Sequence, residues 1–333
     1  MSMTIKPSQL PAEIAACATA DLSMMIWGAP GIGKSEMVYQ YAKSQNAKLY
    51  EIRANLFDPV DVRGGLKVVE QVDGSYRTRY GVPEDYPDSN YPGTVVLFID
   101  DLTHAPKATQ NALLQLLLMK RIGTYELPTN TIIIAAGNRT YDRAGANDMG
   151  QAVADRFEHY TVEPNVDDFC AYAYKTGCDP SIPSFLRYRP NLLHDADTQE
   201  KAFPTPRSWM RLNRKLPHLA DEFHGIAASI GDGAAGEFIA HRKIFHELPD
   251  IDQIIRSPGS VRVPTSASTL YAVAGALSAR ANQQDIKPIV TYLRRLPPEY
   301  QVVAVKDIIG KDRSLITEPA VQSWTTDNAS IVF

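Results

Sequence analysis

The chain has 333 residues, with 34 basic and 38 acidic side chains and a formal net charge of −4, so no global charge draws it toward nucleic acid or an anionic membrane. Hydrophobic residues make up 44% and charged residues 22%, the balance of a globular chain long enough for two or three domains. Cys17, Cys170 and Cys178 are scattered and odd in number, which fits reduced thiols in a cytoplasmic protein and not a disulfide framework or a metal site. No apolar run is long enough to span a bilayer, and the N-terminal MSMTIKPSQL lacks the apolar core of a signal peptide.

In chain order, the first element is the apolar run at residues 22–27, which reads as a buried strand. It leads into Gly28, Ala29, Pro30, Gly31, Ile32, Gly33, Lys34 and Ser35, which fit GxxxxGK[ST] at every required position. Residues 36–43, beginning with Glu36, follow with Met37/Tyr41 and Val38/Ala42 at helical spacing. Strand, glycine loop and helix are the context that phosphate binding needs. Backbone N–H groups along the loop and at the helix start wrap the phosphates, and the helix N-terminus adds positive partial charge. Lys34 is placed to reach the β- and γ-phosphates, and Ser35 to coordinate Mg²⁺.

Residues 64–80 read as a β-hairpin turning at Asp73-Gly74. Tyr76, Thr78 and Tyr80 fall on one face and Arg77 and Arg79 on the other, either as a solvated ribbon or as a contact surface. The apolar run at 93–101 closes on Asp100 and Asp101 and reads as a central parallel strand whose C-terminal end meets the ligand. Asp100 is placed to hold the Mg²⁺ shell and Asp101 to orient or deprotonate the attacking water; the alternative is a helix N-cap.

Residues 103–119 read as a helix, with Pro106 near its start and Ala112, Leu113, Leu116 and Leu117 as its apolar face. His104, lacking partners in the sequence pattern, is expected to be structural. A third strand at 131–136 ends in Gly137-Asn138-Arg139, where Asn138 can bond the lytic water or γ-phosphate, or simply form the turn. The segment Asn138-Arg139-Thr140-Tyr141-Asp142 is not the guanine-reading NKxD pattern, so nothing argues for GTP.

Residues 163 to about 250 read as helices. The GxGxxG match at 231–236 follows a helical stretch and opens no βαβ unit, so it is read as small residues for close helix packing and not as a dinucleotide site. Residues 258–264 read as a linker. Beyond it, Leu270, Val273, Ala274, Leu277 and then Ile286, Ile289, Val290, Leu293 give two helical stripes suited to core or subunit packing.

These pieces, in this order, resemble the AAA+ ATPases, most closely the MoxR-like group of the clade with an insert in helix 2, over roughly residues 10–216. The resemblance implies an α/β fold: a three-layer αβα P-loop core with a parallel sheet over 1–162, a helical lid over 163–250 and a helical C-terminal extension over 251–333. It implies an ATP hydrolase in which Lys34 and Ser35 are the Walker A pair, Asp100 and Asp101 take the Walker B positions and Asn138 that of sensor 1. Arg156, in Asp155-Arg156-Phe157, corresponds to the arginine that reaches a neighbouring subunit's nucleotide. Arg207, in Thr205-Pro206-Arg207-Ser208-Trp209, corresponds to the lid arginine on the γ-phosphate. The cofactors implied are ATP and Mg²⁺. The partners implied are further copies of the chain in a hexameric ring and a remodelled protein, in MoxR-type members often one with a von Willebrand A domain; inserted hairpins there face the pore or substrate. A nucleic-acid motor or loader, and an assembly module gated by ATP binding, are the competing functions, and no recognised DNA-binding motif is visible. The family usually has Asp-Glu where this chain has Asp100-Asp101. Aspartate is one methylene shorter, which predicts ATP binding with slow turnover.

Overall fold

The computed structural model describes residues 3–122, 125–142, 147, 149–196 and 200–329, in two compact units, Met1–Glu163 and Pro164–Phe333. The first unit's described strands are β1 (Met3–Ile5), β2 (Ser23–Trp27), β3 (Lys48–Arg53), β4 (Leu66–Glu70), β5 (Tyr76–Tyr80), β6 (Val95–Asp100), β7 (Arg121–Ile122), β8 (Tyr125–Glu126), β9 (Thr131–Gly137) and β10 (Phe157–Val162). Its helices are α1 (Leu10–Thr19), α2 (Lys34–Ser44), α3 (Pro59–Arg63), α4 (Lys107–Met119) and α5 (Gln151–Ala154). Six strands form one sheet in the order β1-β10-β2-β9-β6-β3, every pair parallel.

The pleat sorts side chains into two layers. Val96 and Phe98 of β6, with Ile134 of β9, join Ile14 of α1 and Val38 of α2. Leu97 and Ile99, with Ile133 and Ala135, join Leu113 and Leu116 of α4 on the opposite face. Strands buried on both faces must read as continuous apolar runs, and these do. The result is the expected three-layer αβα core. The helix read from residue 103 begins later: Leu102–His104 is a 3-10 turn and α4 starts at Lys107, after Pro106 as N-cap. Proline disfavours helical backbone at the residue before it, which delays the start.

β4 and β5 stand apart from that sheet as an antiparallel ribbon, pairing Leu66 with Tyr80 and Glu70 with Tyr76. The expected turn is one residue longer: Gln71 and Ser75 are bonded, and Val72, Asp73 and Gly74 form the loop. Asp73 Oδ1 fixes it by accepting from Ser75 N (2.9 Å) and Ser75 Oγ (2.6 Å). The root of the ribbon is tight. Gly64 has φ +83°, and a Cβ there would stand 1.7 Å from the Gly81 carbonyl oxygen, so only glycine fits. Gly81 N donates to Gly65 O at 2.8 Å.

The second unit is helical: α6 (Val166–Lys175), α7 (Ser181–Tyr188), α8 (Pro206–Lys215), α9 (Glu222–Ile230), α10 (Asp232–His246), α11 (Ile251–Arg256), α12 (Ala267–Arg280), α13 (Ile286–Leu293), α14 (Pro298–Lys311) and α15 (Pro319–Asp327). One apolar cluster surrounds Phe185, Trp209 and Phe238. The other holds Leu277, Ile289, Tyr292 and Trp324 and takes both sequence stripes of α12 and α13. Close packing holds for part of the GxGxxG match: a Cβ on Gly231, which caps α9 at φ +83°, would stand 2.7 Å from the Ala202 carbonyl oxygen, and Ala234 and Ala235 are buried in the core, whereas a Cβ on Gly233 or Gly236 would meet nothing within 4 Å.

Polar groups, most of them buried, tie this unit together. The Arg187 guanidinium (α7) pairs with the carboxylates of Asp167 (α6) and Asp307 (α14). Burial pushes the Asp307 carboxyl up to about 6, although Arg187 holds it down in part. His241 lies against Ser184 Oγ (2.9 Å), and burial pushes its imidazole down to about 4. No described helix is long and apolar enough to cross a membrane.

Candidate nucleotide site

The C-terminal ends of β2, β9 and β6 lie side by side, Trp27 opposite Gly137 and Ile99 opposite Ala135. Open parallel sheets bind ligands at this edge. The chain leaves β2 through residues 28–33, with Gly31 at φ +80° and Gly33 at φ +97°, conformations that favour glycine. Gly33 is the N-cap of α2, which therefore starts at Lys34, two residues earlier than read from the sequence. Met37 N bonds Gly33 O, so the N–H groups of Ser35 and Glu36 have no acceptor within the helix and point out of its end. The Glu36 side chain is occupied locally, accepting from Gln40 Nε2 at 2.9 Å.

Lys34 is only 9% exposed. Its Nζ donates to Gly28 O (2.7 Å), Ala29 O (3.1 Å) and Asn138 Oδ1 (2.6 Å). Asn138 shares the strand parity of Ile134 and Ala136, which face α2, and this parity brings its amide to Lys34. Its own N–H donates to Thr103 Oγ1 at 3.1 Å. Ser35 Oγ donates to Asp100 Oδ2 at 2.7 Å. Burial pushes the Asp100 carboxyl above its ordinary range, the neighbouring Asp101 charge adds to this, and the Ser35 hydrogen bond opposes it.

Asp101 has left-handed backbone (φ +53°), and its N–H donates to Asp100 Oδ1 at 2.9 Å. Its half-exposed carboxylate lies 3.7 Å from His104 Nδ1. His104, expected to be structural, borders that carboxylate. The structure thus brings Lys34, Ser35, Asp100, Asp101 and Asn138 into one cluster. Arg156 stands outside its hydrogen bonds, after the Asp155 C-cap of α5, in an ion pair with Asp155 (2.5 Å). Arg207 lies in the second unit, exposed in the first turn of α8, behind the Thr205–Ser208 capping box.

Several neighbours of the cluster had no sequence signal. On β3, Arg53 is register partner of Asp100; its Nε donates to Glu51 Oε1 (2.9 Å), and Tyr39 of α2 donates to Glu51 Oε2 (2.7 Å). Burial, then Glu51, pushes the Tyr39 phenol up to about 12. Arg139 holds the turn after Asn138 through a two-pronged pair with Asp142 and a bond to Glu163. Thr103 could have been suspected from its place two residues after Asp101, but strands such as β3, mixing charged and apolar residues, carry no comparable pattern.

The residues suit ATP with Mg²⁺. An ammonium, a row of helix-end N–H groups and a hydroxyl–carboxylate pair supply cationic donors for phosphates and oxygen ligands for a hard cation. Among the described residues no group of three or more His, Cys, Asp or Glu could hold a metal.

Residues 23–157 match the family described as the AAA domain, dynein-related subfamily. The match runs from the start of β2 to the first residue of β10 and includes every site residue except Arg207. Over these residues the chain is similar to an AAA domain. No curated protein matches it. Among solved structures it is similar to the RuvB Holliday junction branch migration motor of Thermotoga maritima, at 15% identity over 85% of each chain with a TM-score of 0.40. It is also similar to NtrX of Brucella abortus in complex with ADP, at 13% identity over 97% of this chain and 67% of that one, with a TM-score of 0.38. Likenesses this distant bear on neither substrate nor partner.

Proposed function

We propose that the chain is an ATP hydrolase that works as a homo-oligomeric ring, a hexamer, to remodel a protein partner. Lys34 and the N–H groups around it bind the β- and γ-phosphates, while Ser35 and Asp100 hold magnesium, which when bound neutralises charge on the phosphate oxygens. Asn138, fixed by Lys34 and Thr103, orients the attacking water, and Asp101 takes its proton. Arg156 acts on the neighbouring subunit's nucleotide and Arg207 on its own; both stabilise charge that develops as the bond breaks.

The observation that supports a protein partner is the β4–β5 ribbon. Leu66, Val68 and Tyr76 are exposed on one face, and Lys67, Arg77 and Arg79 stand on the other. A two-stranded ribbon is marginal as a stability element, whereas rings and guanidinium forks suit transient protein contacts. A von Willebrand A domain protein is the class of partner the family resemblance suggests. Replacing residues 67–79 with a short Gly-Ser linker should leave ATP binding and oligomerisation intact, and abolish stimulation of the ATPase by partner. If the shortened protein fails to assemble by sedimentation, the ribbon packs subunits and the remodelling reading loses its support.

A second reading is favoured by Asp101 itself. Its carboxylate is short and lies beside His104, which suits a ring assembled by ATP binding and disassembled by slow hydrolysis.

A further inference from the structure

Trp27 closes β2 immediately before Gly28, and its indole Nε1–H donates to Nδ1 of His159 on β10 at 2.8 Å. The two rings are stacked, with centroids 5.9 Å apart. A donor facing Nδ1 requires the lone pair there, so the ring proton sits on Nε2. Nε2 lies 2.8 Å from the Ala154 carbonyl oxygen and donates to it. Ala154 is the last residue of α5; Asp155 caps that helix and Arg156 follows, its N–H bonded to Val153 O at 3.2 Å. A one-turn helix has few internal bonds, so its terminal carbonyls depend on outside donors. His159 is the outside donor to Ala154.

The other end of this chain of contacts is the phosphate loop. An ammonium has three N–H donors, and those of Lys34 reach Gly28 O, Ala29 O and Asn138 Oδ1. A phosphate oxygen bound there competes for them. Two of the three acceptors are carbonyls within two residues of Trp27. An open depression bordered by Ala154, Asp155, Glu158 and His159 lies against the Arg156 turn.

We propose that His159 is a positioning residue that couples each subunit's phosphate loop to the Arg156 it offers the next subunit. Nucleotide in one site then sets the arginine of the adjoining site. This rests on the reading of Arg156 given above.

His159→Phe keeps the ring packing and removes both hydrogen bonds, whereas His159→Gln retains one acceptor and one donor. In the full-length oligomer, binding of fluorescent ADP should stay within about twofold in both. The ATPase rate should fall at least ~10-fold in His159→Phe, the scale of a misplaced catalytic group, and recover most of the way in His159→Gln. Combined with Arg156→Ala, His159→Phe should add no further loss. Mixed with Asp101→Asn subunits, which bind ATP and keep both His159 and Arg156, His159→Phe subunits should regain turnover. A further loss on the Arg156→Ala background, or ADP binding that weakens in step with the rate, would overturn the proposal. If Arg156→Ala alone turns over at the wild-type rate, the reading of Arg156 fails. If Arg156→Ala is inactive while His159→Phe is unimpaired, only the relay fails.

Discussion

Each unit holds a cluster of charged and polar side chains, and the two differ. In the first, Lys34, Asn138, Ser35 and Asp100 lie at the open end of a parallel sheet, beside N–H groups that no helical carbonyl satisfies. In the second, Arg187, Asp167 and Asp307 lie between helix flanks, and each carboxylate meets a fork of the same guanidinium. Both contain ionisable groups that burial shifts, Asp100 and Asp307. Perturbed carboxylates therefore do not distinguish a reaction site from a structural tie. What separates the two is bonding capacity left pointing outward: the first cluster has donors for a ligand, whereas the second satisfies itself.

The contrast can be broken experimentally. The largest effect is expected at Lys34. Lys34→Ala should abolish tight ATP–Mg²⁺ binding in equilibrium titrations, because the phosphates lose their point charge, and should leave the fold in place. Unchanged affinity would remove the phosphate-loop assignment.

Arg187→Met should do the reverse. Breaking a buried pair by removing one partner costs about 3–5 kcal/mol of folding stability, read from urea unfolding, with no direct effect on nucleotide affinity. Its pH dependence sharpens the point. In the native protein Asp307 titrates near 6, above the ordinary value of 3.8. Its raised value contributes stability that is complete below the ordinary value and lost as pH rises through about 6. Without Arg187 the carboxylate is uncompensated, so the variant's deficit should be greatest at pH 8 and shrink below pH 6. A deficit independent of pH would mean that packing, and not the ion pair, holds these helices.

Asp101→Asn is expected to bind ATP normally and hydrolyse it at least ~10²-fold more slowly, the scale of a lost general base. Asp101→Glu should raise the rate by restoring reach toward the water. Equal single-turnover rates for wild type and Asp101→Asn would favour the gated assembly reading over catalysis.

The first cluster was readable in the sequence and the second was not, for a physical reason. Residues 28–35 encode their conformation locally in glycine spacing, and β6 and β9 announce themselves as unbroken apolar runs. Asp73-Gly74 marked the ribbon. By contrast, β3 reads Lys-Leu-Tyr-Glu-Ile-Arg and β10 reads Phe-Glu-His-Tyr-Thr-Val; only part of each is buried, so neither shows a clean period. Thr103 on Asn138, Trp27 on His159 and Arg187 on Asp307 join residues 35, 132 and 120 positions apart. Such pairings depend on sheet order and helix packing, which no local pattern records.

The glycine root of the ribbon constrains how its length can vary. No side chain fits between residues 64 and 81, so growth or shortening is confined to the tip around Val72, Asp73 and Gly74. Two residues added to each strand there would extend the arm by about 7 Å and keep every side chain on its present face, whereas one residue in each would exchange the faces beyond it. Related chains should therefore differ in arm length by even steps per strand, each setting how far out the contact is made while leaving the nucleotide domain untouched.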